Sequence, residues 1–205
     1  MKNIRHALKS HHNDLKNCNL CDQMVGPPVV GKLVHSSILL VGQAPGVREP
    51  QLQKPFGWTA GKTLFGWFQS IGLCEADARE LIYITAICRC FPGKNLNGGD
   101  RVPNKDEIKS CSRWLKHEIE LLRPELVIPV GKLAISQFVS VDRLNSIIGK
   151  KIIIECYENT FDIIALPHPS GISTWHKSNQ GKLLLEKSLH LIRTHSAFID
   201  ILSKL

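Results

Sequence analysis

No apolar run of about 18 residues occurs in this chain of 205, which excludes a membrane-spanning helix of ordinary length. The first twenty residues, MKNIRHALKSHHNDLKNCNL, also lack the apolar core of a secretory signal. The expectation is a cytoplasmic, nucleoid-associated protein with no membrane partner. No internal repeat is visible, and 205 residues suit a single compact domain spanning 1–205. Acidic residues are scarce. Asp+Glu 18 against Lys+Arg 26 leaves a formal net charge of +8 and a pI near 9.2, a balance that favours a polyanionic partner, nucleic acid first. An even number of cysteines is missing too. Seven cannot all pair within one chain, and in a reducing compartment they serve as ligands and buried thiols rather than as disulfides.

What is present begins with four of those cysteines. Cys18 and Cys21 form a C-x-x-C near the start, and Cys90 and Cys111 follow some seventy residues later. Four thiols can hold a tetrahedral metal or an iron–sulfur cluster, and spacing alone suits zinc as well as a cluster. Cys74, Cys88 and Cys156 read as small buried hydrophobes.

Ile4, Leu8 and Leu15 at helical spacing predict a helix over 3–16 that leads into the cysteine pair. SSILLVG (36–42) is an apolar run closed by Gly42 and Pro45, the pattern of a buried parallel strand feeding a turn. A helix follows over 60–71, and LIYITAI (81–87), ELVIPV (125–130) and FDIIALP (161–167) repeat the strand signature. KIIIEC (151–156) adds an edge hairpin or a strand of its own. Helices are expected at 104–122, 131–139 and 179–204. The fold class is therefore α/β, a three-layer α/β/α sandwich around a mostly parallel sheet of four to five strands. GKNLNGGDRVPN (93–104), rich in Gly and Asn, is the one stretch expected to be mobile.

In open sheets of this kind ligands bind beyond the carboxyl ends of the strands. Three loops leave strands there: Gly42–Lys62 with a tight turn at Gly42, Pro45 and Gly46, the ICRCFPGKN segment, and LPHPSGISTWHKSN with His168 at its mouth. A G-x-x-P-G turn has backbone amides that can face an anion or a polar ring. A histidine at a strand end is either a ligand-facing group or a satisfied structural one.

Taken together these residues resemble the iron–sulfur uracil-DNA glycosylases, families 4 and 5 of that superfamily, from Cys18 to about Ile192. The resemblance rests on the C-x-x-C of Cys18 and Cys21, the G-x-A-P-G of Gly42 to Gly46, the K-P-F of Lys54 to Phe56 followed by Ala60 and Gly61, and the R-C-x-P of Arg89 to Pro92. It continues through Arg101, Pro103, Glu107 and Cys111, the L-R-P-E-L-V-I-P-V-G of Leu122 to Gly131, and the H-P-S of His168 to Ser170.

The resemblance implies hydrolysis of the N-glycosidic bond of uracil, or another deaminated base, flipped from DNA into the pocket, leaving an abasic site. It implies that Cys18, Cys21, Cys90 and Cys111 hold a 4Fe-4S cluster of structural role, zinc being the other occupant. His168 resembles the histidine that donates to the base oxygen, and Phe56 the stacking ring. Gln43, Ala44, Pro45 and Gly46 would hold polar edges of the base, with Thr85 and Ala86 beside them. Lys54, Ser170, Gly171, Ile172, Ser173, Trp175 and Lys177 would meet the DNA, Ile172 as an apolar wedge and Trp175 as a stacking indole. The basic residues Lys94, Arg101 and Lys105 between the second pair of cysteines would face phosphates, and Lys177, Lys182, Lys187 and Arg193, with His176, His190 and His195, would line the final helix and its lead-in. The partner is DNA containing a damaged base, bound by a monomer.

The chain also departs from the pattern. The family-4 glutamate falls on Gln43, the family-1 aspartate on Ala44, the family-5 aspartate on Thr59 and the base-reading asparagine on Ala86. Glu49 is the remaining carboxylate of the first motif and a candidate to orient water. The resulting expectation is a glycosylase that relies on His168 and preorganised amides more than on a general base. The alternatives are a DNA-binding module that has lost its chemistry and an enzyme with a changed base or substrate.

Overall fold

In β1 (Ile38–Gly42) and β3 (Leu126–Pro129) side chains alternate between two apolar layers, which is why both read as unbroken hydrophobic runs. Ile38, Leu40, Leu126 and Ile128 join one core, while Leu39, Val41 and Val127 join the other. Helices close each layer. α3 (Thr59–Ser70), α4 (Glu75–Leu81), α7 (Asn179–Thr194) and α8 (Ser196–Leu202) cover the first face through Leu64, Phe68, Ala78, Leu189 and Phe198. α1 (Lys2–Lys16) and α5 (Lys105–Leu122) cover the second through Leu8, Leu15, Leu115 and Ile119. This is the expected three-layer α/β/α sandwich. The computed structural model describes residues 2–96, 98–171 and 173–205, with side chains from residue 4 onward.

β2 (Tyr83–Ala86), β4 (Lys151–Cys156) and β5 (Asn159–Ile164) complete a five-stranded sheet in the order β2-β1-β3-β5-β4. β1 runs parallel to both neighbours, with Gly42 opposite Ala86 and Val41 opposite Pro129. β3 and β5 are parallel, and β4 pairs antiparallel with β5. After β1 the chain builds β2 on one side and β3 on the other. The crevice beyond the carboxyl ends of β1 and β3 is therefore the switch point at which such sheets take ligands. β4 forms an edge, where exposed Lys151 and Glu155 discourage further strand pairing.

Several elements differ from expectation. The helix expected over 131–139 is reduced to α6 (Lys132–Ile135), followed by turns. The final helix breaks at His195, whose backbone is extended (ψ 137°) and whose Nδ1 accepts the Ala197 N–H at 3.1 Å to cap α8. With its Nε2 bonded to Asp162 at 3.0 Å, His195 is a buried structural group rather than part of a basic DNA-facing row. α2 (Glu49–Leu52) and α4 were not expected. Pro50 in the first turn favours α2, and the Cys74 sulfur accepts the Asp77 N–H to cap α4. Cys88 is fully buried as expected, whereas Cys74 and Cys156 are only half-buried. The Gly/Asn-rich stretch folds back on itself through an antiparallel bridge between Lys94 and Asp100, and it runs into the reciprocal cap of Asn104 and Glu107 that starts α5.

Candidate active site

Segments leaving the carboxyl ends of β1, β2 and β5 wall a cavity of about 610 Å³, within the range of small-ligand sites. Gln43, Ala44, Pro45 and Gly46 form one wall, Thr85 and Ala86 a second, and His168, Ser170, Gly171 and Ser173 a third. The three loops singled out in the sequence do meet.

Phe56 enters this cavity over Gly42. A Cβ on Gly42 would stand 2.7 Å from Cζ of the ring, so the end of β1 must be glycine for the ring to come this close. Phe56 has φ +52°, a left-handed conformation that is costly for a bulky residue. It is held from two sides. Its N–H, with those of Gly46 and Gly57, lies close enough to the Glu49 carboxyl to favour its charged form. Its carbonyl accepts from Arg79 Nη2 at 3.0 Å, while Nη1 donates to the Pro55 carbonyl at 2.9 Å. Arg79 is itself fixed by Glu75 at 2.9 Å and by the face of Phe65. Glu49 is 7 % exposed, and burial pushes its carboxyl up to about 7 against the pull of the three N–H groups and Arg79. Glu49 thus braces the segment that carries Phe56. The Gly46 N–H, expected to face a ligand, lies beside this carboxyl.

His168 packs against Gly131, where φ is +89° and a Cβ would lie 2.9 Å from the imidazole Cδ2. Its Nδ1 accepts the Ser170 N–H at 3.2 Å and lies 2.9 Å from Ser170 Oγ. Burial first, and then His176, lower its pKa from the ordinary 6.5. The ring is therefore neutral near pH 7, and because Nδ1 is an acceptor the proton sits on Nε2.

Thr85 and Ala86, expected to read a base, sit where β2 ends. The Thr85 hydroxyl donates to Glu118 Oε2 at 3.0 Å and is not a free reader; Ala86 offers a methyl group. Glu118 also accepts from Tyr83 Oη at 3.0 Å and from Arg89 Nη1 and Nη2 at 3.1 and 2.8 Å, and it lies 3.2 Å from His11 Nε2. Burial alone would raise this carboxyl, but Arg89 and His11 hold it down to about 2. The network escaped the sequence reading. Its one signal was a carboxylate on the apolar face of α5, between Leu115 and Leu122 at helical spacing.

The expected DNA contacts fare unevenly. Lys54 is exposed but pairs with Glu75 at 3.0 Å, and Lys177 is exposed. Ile172, the expected wedge, lies outside the described residues. Trp175 is not a free stacking ring: it packs half-buried against Ile135, Ile148 and Ala165, and its Nε1 donates to Asn145 Oδ1 at 2.7 Å. Arg101, expected to face phosphates, is bound to both oxygens of Glu107. Trp58 stands at the rim, 51 % exposed, with the Arg48 guanidinium 5.8 Å from its ring centre. Asp100, which the sequence did not single out, also reaches the cavity wall.

Cys18, Cys21, Cys90 and Cys111 all face a second cavity, of about 250 Å³. α1 delivers the first pair, a bridge between Val25 and Phe91 ties the following loop to Cys90, and α5 supplies Cys111. All are free thiols. Burial, then the nearby Cys111, push Cys21 up to about 11 and Cys90 up to about 12. Among the described residues no group of three or more ligating side chains is arranged around a single ion. Arg89 lines the same cavity at 3 % exposure, and its Nε has no partner among the described residues. A buried N–H without an acceptor beside four thiols suits an anionic, sulfur-rich occupant.

A family profile described as Uracil DNA glycosylase superfamily matches residues 28–190. The Type-4 uracil-DNA glycosylase of Archaeoglobus fulgidus is 30% identical over 171 residues, 78% of this chain and 79% of that one. The Type-4 uracil-DNA glycosylase of Thermotoga maritima is 28% identical over 182 residues, 84% and 86% of the two chains. The Type-5 uracil-DNA glycosylase of Pyrobaculum aerophilum matches a shorter stretch, 40% identical over 53 residues, 26% of this chain and 21% of that one.

Proposed function

The chain belongs to the uracil DNA glycosylase superfamily, and from that premise we propose that it hydrolyses the N-glycosidic bond of uracil in DNA, releasing the base and leaving an abasic sugar. The observation that carries this reading is that His168, neutral and with its proton on Nε2, lines a cavity that Phe56 also walls. As the C1′–N1 bond lengthens, its electron pair moves onto the departing base and negative charge gathers on the base's carbonyl oxygens. A donor already aimed at that oxygen needs no reorganisation, a contribution of about 10²–10³ in rate. Phe56 gives the flipped base a stacking surface, and its strained backbone is fixed before the base arrives. The net charge of +8 draws the phosphate backbone and makes binding salt-dependent.

We propose that the second cavity takes a 4Fe-4S cluster rather than zinc, a reading supported by its four cysteines and the unpartnered Arg89 Nε beside them. Cys18, Cys21, Cys90 and Cys111 would hold it. When bound, such a cluster supplies a structural cross-link and takes no part in the hydrolysis.

The test is a glycosylase assay on single- and double-stranded oligonucleotides carrying one uracil, hypoxanthine or xanthine, followed by alkali. Cleavage at uracil that is lost in His168→Ala is the expected result. Salt-sensitive binding with no abasic product from any substrate would overturn the reading in favour of a binding module.

A further inference from the structure

We infer that Asp100 is the carboxylate that takes the proton from the attacking water, a role resting on the glycosylase reading above. Hydrolysis of the bond needs a water at C1′ on the face opposite the departing base, and a group that accepts its proton. Gln43 and Thr59, which stand at the motif positions for an acid, cannot do this near neutral pH. Among the described residues that wall the cavity, two are acidic: Glu49 and Asp100. The Glu49 carboxyl is buried, 7 % exposed, among the backbone N–H groups of Phe56, Gly46 and Gly57. Asp100 is not. Its one ion pair among the described residues is a loose contact between Oδ1 and Lys94 Nζ at 3.5 Å, and its other oxygen, Oδ2, lies 3.5 Å from where a Cβ on Gly46 would stand. It therefore stands against the turn after β1, and Oδ2 has no hydrogen-bond partner among the described residues.

The loop that carries Asp100 is built to hold it there. Lys94 and Asp100 form an antiparallel bridge, and the Arg101 N–H donates to the Gly93 carbonyl at 2.9 Å. Arg101 then fastens the base of the loop by its guanidinium to both oxygens of Glu107, which caps α5, and to the Gln23 carbonyl at 3.3 Å. The loop that carries the carboxylate is thus fastened to the first turn of a long helix. Lys94 offsets the repulsion between Asp100 and the phosphates. The absence of acid at positions 43 and 59 is made good from the segment between the second pair of cysteines.

The step balances without any further reactant. The water oxygen forms a bond to C1′ as the C1′–N1 bond breaks. The bonding pair leaves with N1, the base departs as its anion with an oxygen held by His168 Nε2–H, and the water proton passes to Asp100. Solvent then protonates the free base and Asp100 gives up its proton.

The experiment is single-turnover cleavage of a uracil-containing oligonucleotide by the cluster-loaded full chain, with affinity for DNA bearing a non-cleavable uracil analogue measured in parallel. Asp100→Asn should slow the chemical step by about 10² or more while affinity stays at the wild-type value. Added formate should restore part of the rate in Asp100→Ala, which a purely structural role would not permit. An active wild type with an equally active Asp100→Asn overturns the inference and leaves the glycosylase reading standing. So does a slowed Asp100→Ala that formate fails to rescue. A wild type that forms no abasic product overturns both.

Discussion

The backbone N–H of Ser170 donates to Nδ1 of His168 at 3.2 Å, and this short-range bond decides where the imidazole proton lies. A ring whose Nδ1 must accept has its single proton on Nε2. Because burial lowers the pKa below 6.5, the neutral form persists through the neutral range, and the ring charges only at more acid pH. Nitrogen NMR of the His168 ring at pH ~7 should therefore find Nδ1 bare and Nε2 protonated. The lowered value also means that the unfolded chain binds this proton more readily than the folded one, so stability should fall as pH drops through 6.5 and below. An Nδ1-protonated ring would contradict the geometry.

Gly42 and Phe56 set the width of the base site together. In Gly42→Ala the new Cβ would come within 2.7 Å of Cζ, and the movable partner is the ring, which must swing into the cavity. Single-turnover activity on uracil DNA should drop by about 10-fold or more, while urea unfolding shows a loss of only about 1 kcal/mol, the ordinary range for overpacking by one methyl group. Wild-type activity in this variant would mean that the ring position does not matter.

Much of this architecture was legible in the sequence, for a physical reason. β1 and β3 are buried on both faces, so their apolar runs stand out, and the loops that follow them carry the glycines that close approach demands. The four cysteines likewise converge as their spacing suggested. What stayed hidden depends on tertiary partners. His195 reads as one more basic residue until Asp162 and the Ala197 N–H claim both its ring nitrogens. Trp175 reads as exposed until Asn145, thirty positions away, takes its N–H. Glu49 reads as a loop charge, and only the fold turns it into the acceptor for the Phe56 N–H.

Glu118 is such a hidden partner, and its removal should be costly. Glu118→Gln removes the carboxylate paired with the buried Arg89 guanidinium, which should cost about 3–5 kcal/mol in urea unfolding. The double variant Glu118→Leu with Arg89→Met removes both charges, and it should unfold less readily than Glu118→Gln alone. A double variant that loses the sum of the two single losses would show that the charges do not need each other.

Glu49 gives a pH-dependent stability of definite sign. Its folded value of about 7 lies above the ordinary 4.5, so the folded chain holds this proton more tightly than the unfolded one. The contribution is fully present below 4.5 and is lost as pH rises through about 7. The full loss on the alkaline side is about 3 kcal/mol, taking 1.36 kcal/mol per pH unit between the two values. Glu49→Gln keeps a carbonyl oxygen for the Phe56 N–H but has no proton to lose. Urea midpoints recorded from about pH 4 to about pH 8 should therefore fall more steeply in the wild type than in the variant, and the difference between them isolates this one group from every other that titrates. Parallel curves for the two proteins would mean that the carboxyl is ionised throughout, and that the three N–H groups around it outweigh its burial.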